Sequence, residues 1–271
     1  MNYPKITVVT PSYNQGKFLE ETILSVIDQN YPDLEYIIMD GGSTDNSVEI
    51  IKRYEKHLAY WQSRPDDGQS AAINEGFKRA TGDVYCWLNS DDQFTEGALK
   101  IVGEYFQNNA DCLWLCGIGE LKTLNRKKKI RKCRPKKLNF EAISNITTRI
   151  AQPGVFWRNK LWEKTSGLNE RFNYAFDFDL WVQFSLIAEG HILDFTLSTA
   201  YMYPGQKSQA GSVEYFIEAC LSLYERGFTD LAIKKLARPI RRASEISNAL
   251  SFITKNKIYR LWRDRRETKR K

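Results

Sequence analysis

Two adjacent carboxylates, Asp91 and Asp92, close the run Tyr85-Cys-Trp-Leu-Asn-Ser-Asp-Asp92, and they are the chemically most pointed feature of the sequence. A short apolar segment bounded by polar turn residues reads as a buried strand, which puts both acids at its carboxyl end, where open α/β sheets take their ligands. Two unshielded carboxylates repel. A divalent cation that prefers oxygen, Mn2+ or Mg2+, offsets that repulsion and would hold a diphosphate. An Asx-type turn in which Asp92 caps the helix starting near Gly97 is the competing reading. Two further acids, Asp177 and Asp179, open a helical pattern of Leu180, Trp181, Phe184 and Leu186-Ile187. They suit either a helix N-terminus or a general base. The two histidines, His57 and His191, have no candidate ligand or nucleophile beside them in sequence, so general-base work falls to Asp or Glu.

The elements that must position these acids alternate strand and helix from the N-terminus, which predicts an α/β fold with a mostly parallel central sheet flanked by helices. Strand Ile6 to Thr10 leads into Pro11-Ser-Tyr-Asn-Gln-Gly16 and a helix carrying Leu19, Ile23, Val26 and Ile27 at helical spacing. Strand Leu34 to Met39 runs into Asp40-Gly-Gly-Ser-Thr-Asp-Asn-Ser47, where the glycines allow close backbone approach and Ser43 or Asp45 can cap the next helix. A third strand, Leu58 to Gln62, precedes Ser63-Arg-Pro-Asp-Asp-Gly-Gln-Ser70 and a helix through Ile73, Phe77 and Ala80. Polar clusters at Ser12-Tyr13-Asn14, Asp40 and Asp91-Asp92 thus end three strands, and in a parallel sheet these ends share one edge. A nucleotide across that edge would find acceptors for base and ribose at Asp40, donors around Ser12 and a metal for its phosphates. Neither a Gly-x-Gly-x-x-Gly nor a Gly-x-x-x-x-Gly-Lys loop is present, which excludes a nicotinamide or P-loop reading.

Five segments carry a resemblance. Val9-Thr-Pro-Ser-Tyr-Asn14, Asp40-Gly-Gly-Ser-Thr-Asp45, Asp66-Asp-Gly-Gln-Ser-Ala-Ala-Ile-Asn-Glu-Gly76, Ala80-Thr-Gly-Asp83 and Trp87-Leu-Asn-Ser-Asp-Asp92 resemble, in order and spacing, the motifs of family 2 glycosyltransferases. The likeness is strongest over residues 4 to about 110 and extends more weakly to about 208. It implies the GT-A fold, a nucleotide-diphosphate-sugar donor with UDP-sugar favoured, a divalent metal, and inversion at the anomeric carbon without a covalent intermediate. Carried over by position, Pro11, Ser12, Tyr13, Asn14, Asp40, Gly42, Ser43, Asp66, Gln69, Asn89 and Ser90 bind the donor, and Asp91 and Asp92 bind the metal. Asp177 falls at the catalytic base with Phe176 in place of the usual Glu, and Asp179 is the runner-up. Gln152-Pro-Gly-Val-Phe-Trp157 resembles the acceptor-side strand. Three departures stand out: Asn89 takes the place often held by the first acid of the Asp-x-Asp triplet, Ile73 that of an Arg, and Tyr203 that of a His, with Tyr201 at a nearby Arg position. Lys207 could reach a phosphate in this alignment, although a solvated loop lysine is the preferred reading.

Length and charge set the remaining bounds. The 271 residues suffice for one large α/β domain with an appendage, divided as a nucleotide-sugar half over 1–110, an acceptor half over 111–212 and a helical basic C-terminal extension over 213–271. The five cysteines form no Cys-x-x-Cys pair, so buried thiols are expected rather than a disulfide framework or zinc ribbon. No apolar run has membrane-spanning length and no signal-peptide pattern opens the chain, so a cytoplasmic protein is expected. The net charge of +7 lies entirely in Lys255–Lys271, with nine Lys/Arg against two acids. Together with Ile258, Leu261 and Trp262, that tail fits peripheral contact with an anionic membrane surface. A second basic run, Lys122 to Lys137, has ten Lys/Arg and no acid, which fits an exposed loop or hairpin inserted after a strand at Leu113 to Gly117; a solvated face is the ordinary reading of such a run and an anionic acceptor the alternative. It lacks the aromatic-basic interleaving of nucleic-acid modules. The reading is an inverting glycosyltransferase acting on a glycan or lipid-linked acceptor in cell-surface polysaccharide synthesis. A catalytically degenerate sugar-nucleotide-binding regulator is the alternative that the three departures keep open.

Overall fold

The first strand, β1 (Ile6–Ser12), is buried along its whole length, because strands lie on both of its edges and helices on both of its faces. That explains why it reads as a continuous apolar run rather than an alternating one. A computed structural model of the chain describes residues 3–123, 131–146, 148–203, 206–207 and 212–241. The fold divides after Gln206 into two units.

In the first unit β1 pairs in parallel with β2 (Leu34–Asp40), β2 with β3 (Tyr60–Ser63), and β1 again with β4 (Val84–Trp87). The crossovers are α1 (Gly16–Ile27), α2 (Ser47–Tyr54) and α3 (Gln69–Phe77), as parallel pairing requires. Each buries the apolar face that its spacing announces: Leu19, Ile23 and Val26 on α1, Ile50 and Ile51 on α2, Ile73 and Phe77 on α3. Register then aligns the strand ends. Ser12 lies opposite Asp40 and Asp40 opposite Ser63, while β4 stops at Trp87 beside Val9 and hands the chain to Asn89–Asp92 just past that edge. Close packing is secured by Gly76 of α3, where a Cβ would come within 2.6 Å of a Val9 methyl.

Beyond β4 the pairing becomes mixed. The short β5 (Asp92–Phe94) and α4 (Ala98–Asn108) lead to β6 (Trp114–Thr123), which turns back into β7 (Arg131–Cys133). After α5 (Phe140–Ser144), a 3₁₀ turn (Gln152–Gly154) runs into β8 (Val155–Arg158). Next come α6 (Asn159–Trp162), α7 (Phe176–Ile187) and the long β9 (His191–Met202). The nine-stranded sheet has the order β3-β2-β1-β4-β8-β6-β9-β5, with β7 beside β6. Strand β8 is antiparallel to β4 and β6, and β5 to β9, whereas β6 and β9 are parallel. The expected mostly parallel sheet therefore holds for β1 to β4, which are joined by helices long enough for crossovers, and gives way to mixed pairing beyond them. The expected strand over Leu113–Gly117 is ten residues long as β6, and β9 has no counterpart in the sequence reading.

Tryptophans join the two halves. Trp87 of β4, Trp157 of β8 and Trp181 of α7 are almost wholly buried, with ring centroids 5.6 Å apart for Trp87–Trp157 and Trp87–Trp181. The first pair meets edge-on and the second is stacked, the two arrangements that aromatic quadrupoles favour. All five cysteines are free and buried, as expected, and burial pushes the thiols of Cys112, Cys116 and Cys220 up to about 12. They are protonated at neutral pH and carry no nucleophilic role.

In the second unit, α8 (Ser212–Glu225) and α9 (Thr229–Arg241) pack on one another, close to the helices expected there. The basic tail and its membrane reading, Lys255–Lys271, lie outside the described residues. No described helix is long and apolar enough to cross a membrane.

At the edge opposite the strand ends, the buried Glu35 accepts hydrogen bonds from Thr7 Oγ1 (2.6 Å), Thr81 N (2.7 Å) and Thr81 Oγ1 (2.6 Å), with Lys5 Nζ 4.0 Å away. Burial alone would raise this carboxyl. The hydrogen bonds and the ammonium outweigh it and hold the group below its ordinary 4.5. A depressed carboxyl contributes stability that is present above the unfolded value and lost as pH falls through the folded one. Glu35→Gln should therefore cost about 1–3 kcal/mol at pH 7. It should also flatten the loss of stability below pH ~4.5, as read from denaturant unfolding of both proteins at pH 7 and pH 4.

Candidate active site

One end of the strand edge is built from three loops. Asn14 adopts a left-handed backbone (φ +52°), donates its N–H to Ser43 Oγ (2.8 Å) and accepts from Thr44 N (2.8 Å), so the first motif is stitched to the second. Asp40 has no exposed surface. Its carboxylate accepts from Gly42 N (3.2 Å), Ser43 N (2.9 Å), Ser43 Oγ (2.5 Å) and Ser63 Oγ (2.6 Å), which shapes the Gly41–Ser43 turn. Gly42 must be glycine there, with φ +82° and the Pro65 nitrogen 3.0 Å from where a Cβ would sit. Asp66 Oδ1 accepts from Gly68 N (2.8 Å), and Asp66 Oδ2 lies 2.9 Å from the Cβ position of Gly41, bringing the third motif against the second. Tyr13 is 61% exposed beside this row, and the buried Ser12 hydroxyl has no hydrogen-bond partner among the described residues. The expected cap of α2 takes a different form: neither Ser43 nor Asp45 is its N-cap, which is Asn46 without a side-chain bond. Asp45 instead accepts from Ser47 N (2.9 Å) and from Gly16 N at the start of α1 (2.9 Å).

The acidic turn is held from below. Asp92 N bonds back to Asn89 O (3.0 Å), and Thr22 Oγ1 of α1 sits 2.9 Å from Ser90 O and 2.8 Å from Asp92 O. Asp92 is the first residue of β5 rather than a cap for α4, so the competing turn reading does not hold. Asp91 Oδ2 accepts from Tyr203 Oη (2.8 Å) and Gln206 Nε2 (3.4 Å), while Asp92 Oδ2 accepts from Asn89 Nδ2 (3.1 Å). Burial drives both carboxyls above their ordinary range, Asp92 far more because it is almost wholly buried and also feels the charge of Asp91. A pair of acids that water no longer stabilises is a site that gains from a dication. Among the described residues no cluster of three or more His, Cys, Asp or Glu could hold a metal by itself. Two carboxylates are an oxygen donor set that would fit Mn2+ or Mg2+.

Tyr203, at the place where relatives often have a His, reaches Asp91 and packs its ring on Phe18 of α1 (4.7 Å). Tyr201 turns instead to Gln93 (3.3 Å). Ile73, at the place of an Arg, is fully buried on α3 and can touch no phosphate. On the acceptor side, Asp177 and Asp179 open α7 as expected. Asp179 is buried and accepts from Gln183 Nε2 (3.0 Å), whose other contacts run to Ser166 and Gly167, so it braces that turn. Asp177 is half-buried, accepting from Phe178 N (2.7 Å), and is the more accessible of the two. Phe176 and Trp181, on either side of it in sequence, both contact Trp87, which brings the start of α7 against the end of β4. The basic run forms part of the β6–β7 hairpin, and acids elsewhere meet it: Glu120 lies 3.5 Å from Lys122 and 3.6 Å from Lys132, and Asp194 2.9 Å from Arg134. Its residues 124–130 lie outside the described residues. Two site residues escaped the sequence reading, Thr22 and the side chain of Gln152. Thr22 reads as a core position of α1, and Gln152 bonds to residues more than sixty positions away.

Solved structures of similar shape place this architecture in the GT-A class. Staphylococcus aureus TarS residues 1–349, in complex with UDP-GlcNAc, superposes with a TM-score of 0.64 at 18% identity over 92% of this chain and 75% of that one. The mannosyltransferase PcManGT from Pyrobaculum calidifontis, in complex with GDP-Man and Mn2+, gives 0.57 at 15% identity over 97% and 84%. The description "Glycosyl transferase family 2" matches residues 7–164, more than half of the sequence, and the chain belongs to that family. TuaG of Bacillus subtilis, a glycosyltransferase assigned to teichuronic acid biosynthesis, is 37% identical over 102 residues, 36% of this chain and 40% of its own length. An uncharacterised glycosyltransferase of Mycobacterium tuberculosis is 41% identical over 93 residues, 34% and 36%. The match thus spans about two fifths of these relatives.

Asp92→Asn tests the electrostatics. A carboxyl raised by folding contributes stability that is complete below the unfolded value, about 3.8, and lost as pH rises through the folded one. The metal-free wild type therefore bears the cost of this pair at pH 8. In chelator the variant should melt higher at that pH by at least ~2 °C, the size expected for 1 kcal/mol in a domain of this length. At pH 4 the gain should vanish, which thermal unfolding at the two pH values checks.

Proposed function

We propose that this protein is a metal-dependent, inverting glycosyltransferase that moves a sugar from a nucleotide diphosphate, UDP in the first instance, to a hydroxyl of a glycan or lipid-linked oligosaccharide in cell-envelope polysaccharide synthesis. The observation that carries the reading is the Asp91–Asp92 turn just past the carboxyl ends of parallel strands, with Asp92 buried, Asp91 half-buried and, among the described residues, only neutral donors on either carboxyl. The UDP-GlcNAc and UDP in TarS structures, and the teichuronic acid assignment of TuaG, support the donor and the pathway class. On this reading the Ser12–Asn14 loop and the Asp40–Ser43 turn bind the nucleoside, with Asp40 acting through the shape of the turn it holds. Asp66, Gln69, Asn89 and Ser90 border the phosphates.

Asp91 and Asp92 would hold the metal, which supplies Lewis acidity at the leaving diphosphate when bound. No protonated side chain is then needed at the leaving group. Asp177 accepts the proton of the acceptor hydroxyl as its oxygen bonds to the anomeric carbon and the bond to the diphosphate breaks, the electron pair leaving with the diphosphate. A positioned base of this kind contributes roughly 10²- to 10⁴-fold. The 3₁₀ turn at Gln152–Gly154 borders the acceptor. Contact of Tyr203 with Asp91 favours a second reading, donor binding without turnover.

Thermal unfolding against uridine, guanosine, cytidine and thymidine diphosphates and their sugars, with and without Mn2+, should show a manganese-dependent rise with one nucleotide, about 2.7 kcal/mol at a hundred times its dissociation constant. No rise with any of them would sink the donor site. Asp177→Asn should keep that rise and lose sugar transfer by about 10²-fold or more, followed as release of nucleoside diphosphate. Unchanged transfer would remove Asp177 as base, and a wild type that binds but never turns over would establish the second reading.

A further inference from the structure

Three amide side chains from distant parts of the sequence meet at the acidic turn. Gln69 Nε2, at the start of α3, donates to Asn89 Oδ1 (2.8 Å). Asn89 Nδ2 donates to Asp92 Oδ2 (3.1 Å) and to Gln152 Oε1 (3.0 Å), and Gln152 Nε2 donates to the Trp87 carbonyl (2.8 Å). The direction of every bond is forced. A main-chain carbonyl only accepts, so Gln152 must turn its NH2 to Trp87, and the Asn89 NH2 that meets the Gln152 oxygen is also the group that faces Asp92. Gln152 then has only its oxygen left for Asn89, and Gln69 must donate. Asn89 thus uses two donors and one acceptor on three partners. An aspartate in its place presents acceptors alone at both oxygens and would face Asp92 Oδ2 and Gln152 Oε1 at about 3 Å.

We propose that Asn89 is a positioning residue of the site: it holds Asp92 without adding charge, ties that acid to the acceptor-side turn through Gln152, and makes an acid at position 89 unacceptable in this chain. Gln152 is thereby assigned to the site as the link between the nucleotide and acceptor halves of the sheet. The part of this inference that concerns metal and nucleotide rests on the function proposed above, whereas the requirement for donors at position 89 does not.

The test is thermal unfolding of the full chain for wild type, Asn89→Ala, Asn89→Asp and the exchange Asn89→Asp/Asp92→Asn. Each is measured in chelator, with Mn2+ alone, and with Mn2+ plus the nucleotide diphosphate that shifts the wild type. In chelator Asn89→Asp should melt below Asn89→Ala, since alanine only deletes bonds whereas aspartate adds repulsion. The exchange variant restores the charge count and reverses the direction of the bond between the two positions, with the amide at 92 donating to the carboxylate at 89, so it should recover most of that loss. Asn89→Ala should need at least ~10-fold more Mn2+ for half of the nucleotide shift, the usual cost of losing a group that orients a metal ligand. A merely structural asparagine would lower the melting temperature and leave that midpoint in place. Asn89→Asp as stable as wild type in chelator, an exchange variant no better than Asn89→Asp, or a wild-type manganese midpoint in Asn89→Ala would each overturn the proposal. Should Asn89→Asp fail to fold, recovery in the exchange variant still decides it. A wild type that responds to no nucleotide would defeat the donor-site reading alone, and the order of melting temperatures in chelator would then decide the role of Asn89.

Discussion

Repulsion between two neighbouring carboxylates, confined where water cannot screen it, is the constraint around which this fold is arranged. Asp91 and Asp92 follow one another in a turn whose carbonyls are gripped by the Thr22 hydroxyl, and every side-chain partner found for them is a neutral donor: Tyr203 and Gln206 for one, Asn89 for the other. Neutral donors orient an acid without cancelling its charge. The site is therefore kept in order but electrostatically incomplete, a state that favours a ligand bringing positive charge with it.

Support for that turn comes from elements far apart in sequence. Register between β1, β2 and β3 puts Ser12, Asp40 and Ser63 in one row, and the stacked tryptophans fix α7 against the end of β4, carrying Asp177 towards the same edge. The carboxylate of Asp40 illustrates how such residues work here: with four donors from its own loops it acts as the frame of a cradle. The acids on this scaffold thus divide into those that brace backbone through their hydrogen bonds, Asp40 and Asp179 among them, and the pair at Asp91–Asp92, which remains in need of a counter-charge.

The nucleotide half was legible because its physics is local. A continuous apolar run followed by an amphipathic helix has one economical outcome, a parallel strand with its crossover, and the polar cluster at each strand end marks the shared edge. The second half resists such reading. Strand β9 mixes Asp194, Thr196, Ser198 and Thr199 among its apolar residues, and its register with β6 shifts between Cys116 and Gly119, so no clean period of two survives. Asp91, Asp92 and Asp177 could be found by chemical type and by resemblance. Thr22 could not, and Gln152 figures only as the first residue of a segment of resemblance: a threonine on a helix face and a glutamine before Pro153 gain their bonds at the acidic turn only when long-range packing delivers them.

The place of β8 in the sheet has a consequence for synthesis. The inner edge of β4 is closed by a strand that leaves the ribosome some seventy residues later, and until then a nascent chain holding all five motifs exposes an unpaired, apolar strand edge. The most recognisable part of the protein is therefore its least self-sufficient. The family match runs to residue 164, just past β8, and a chain cut much before that point would leave this edge open.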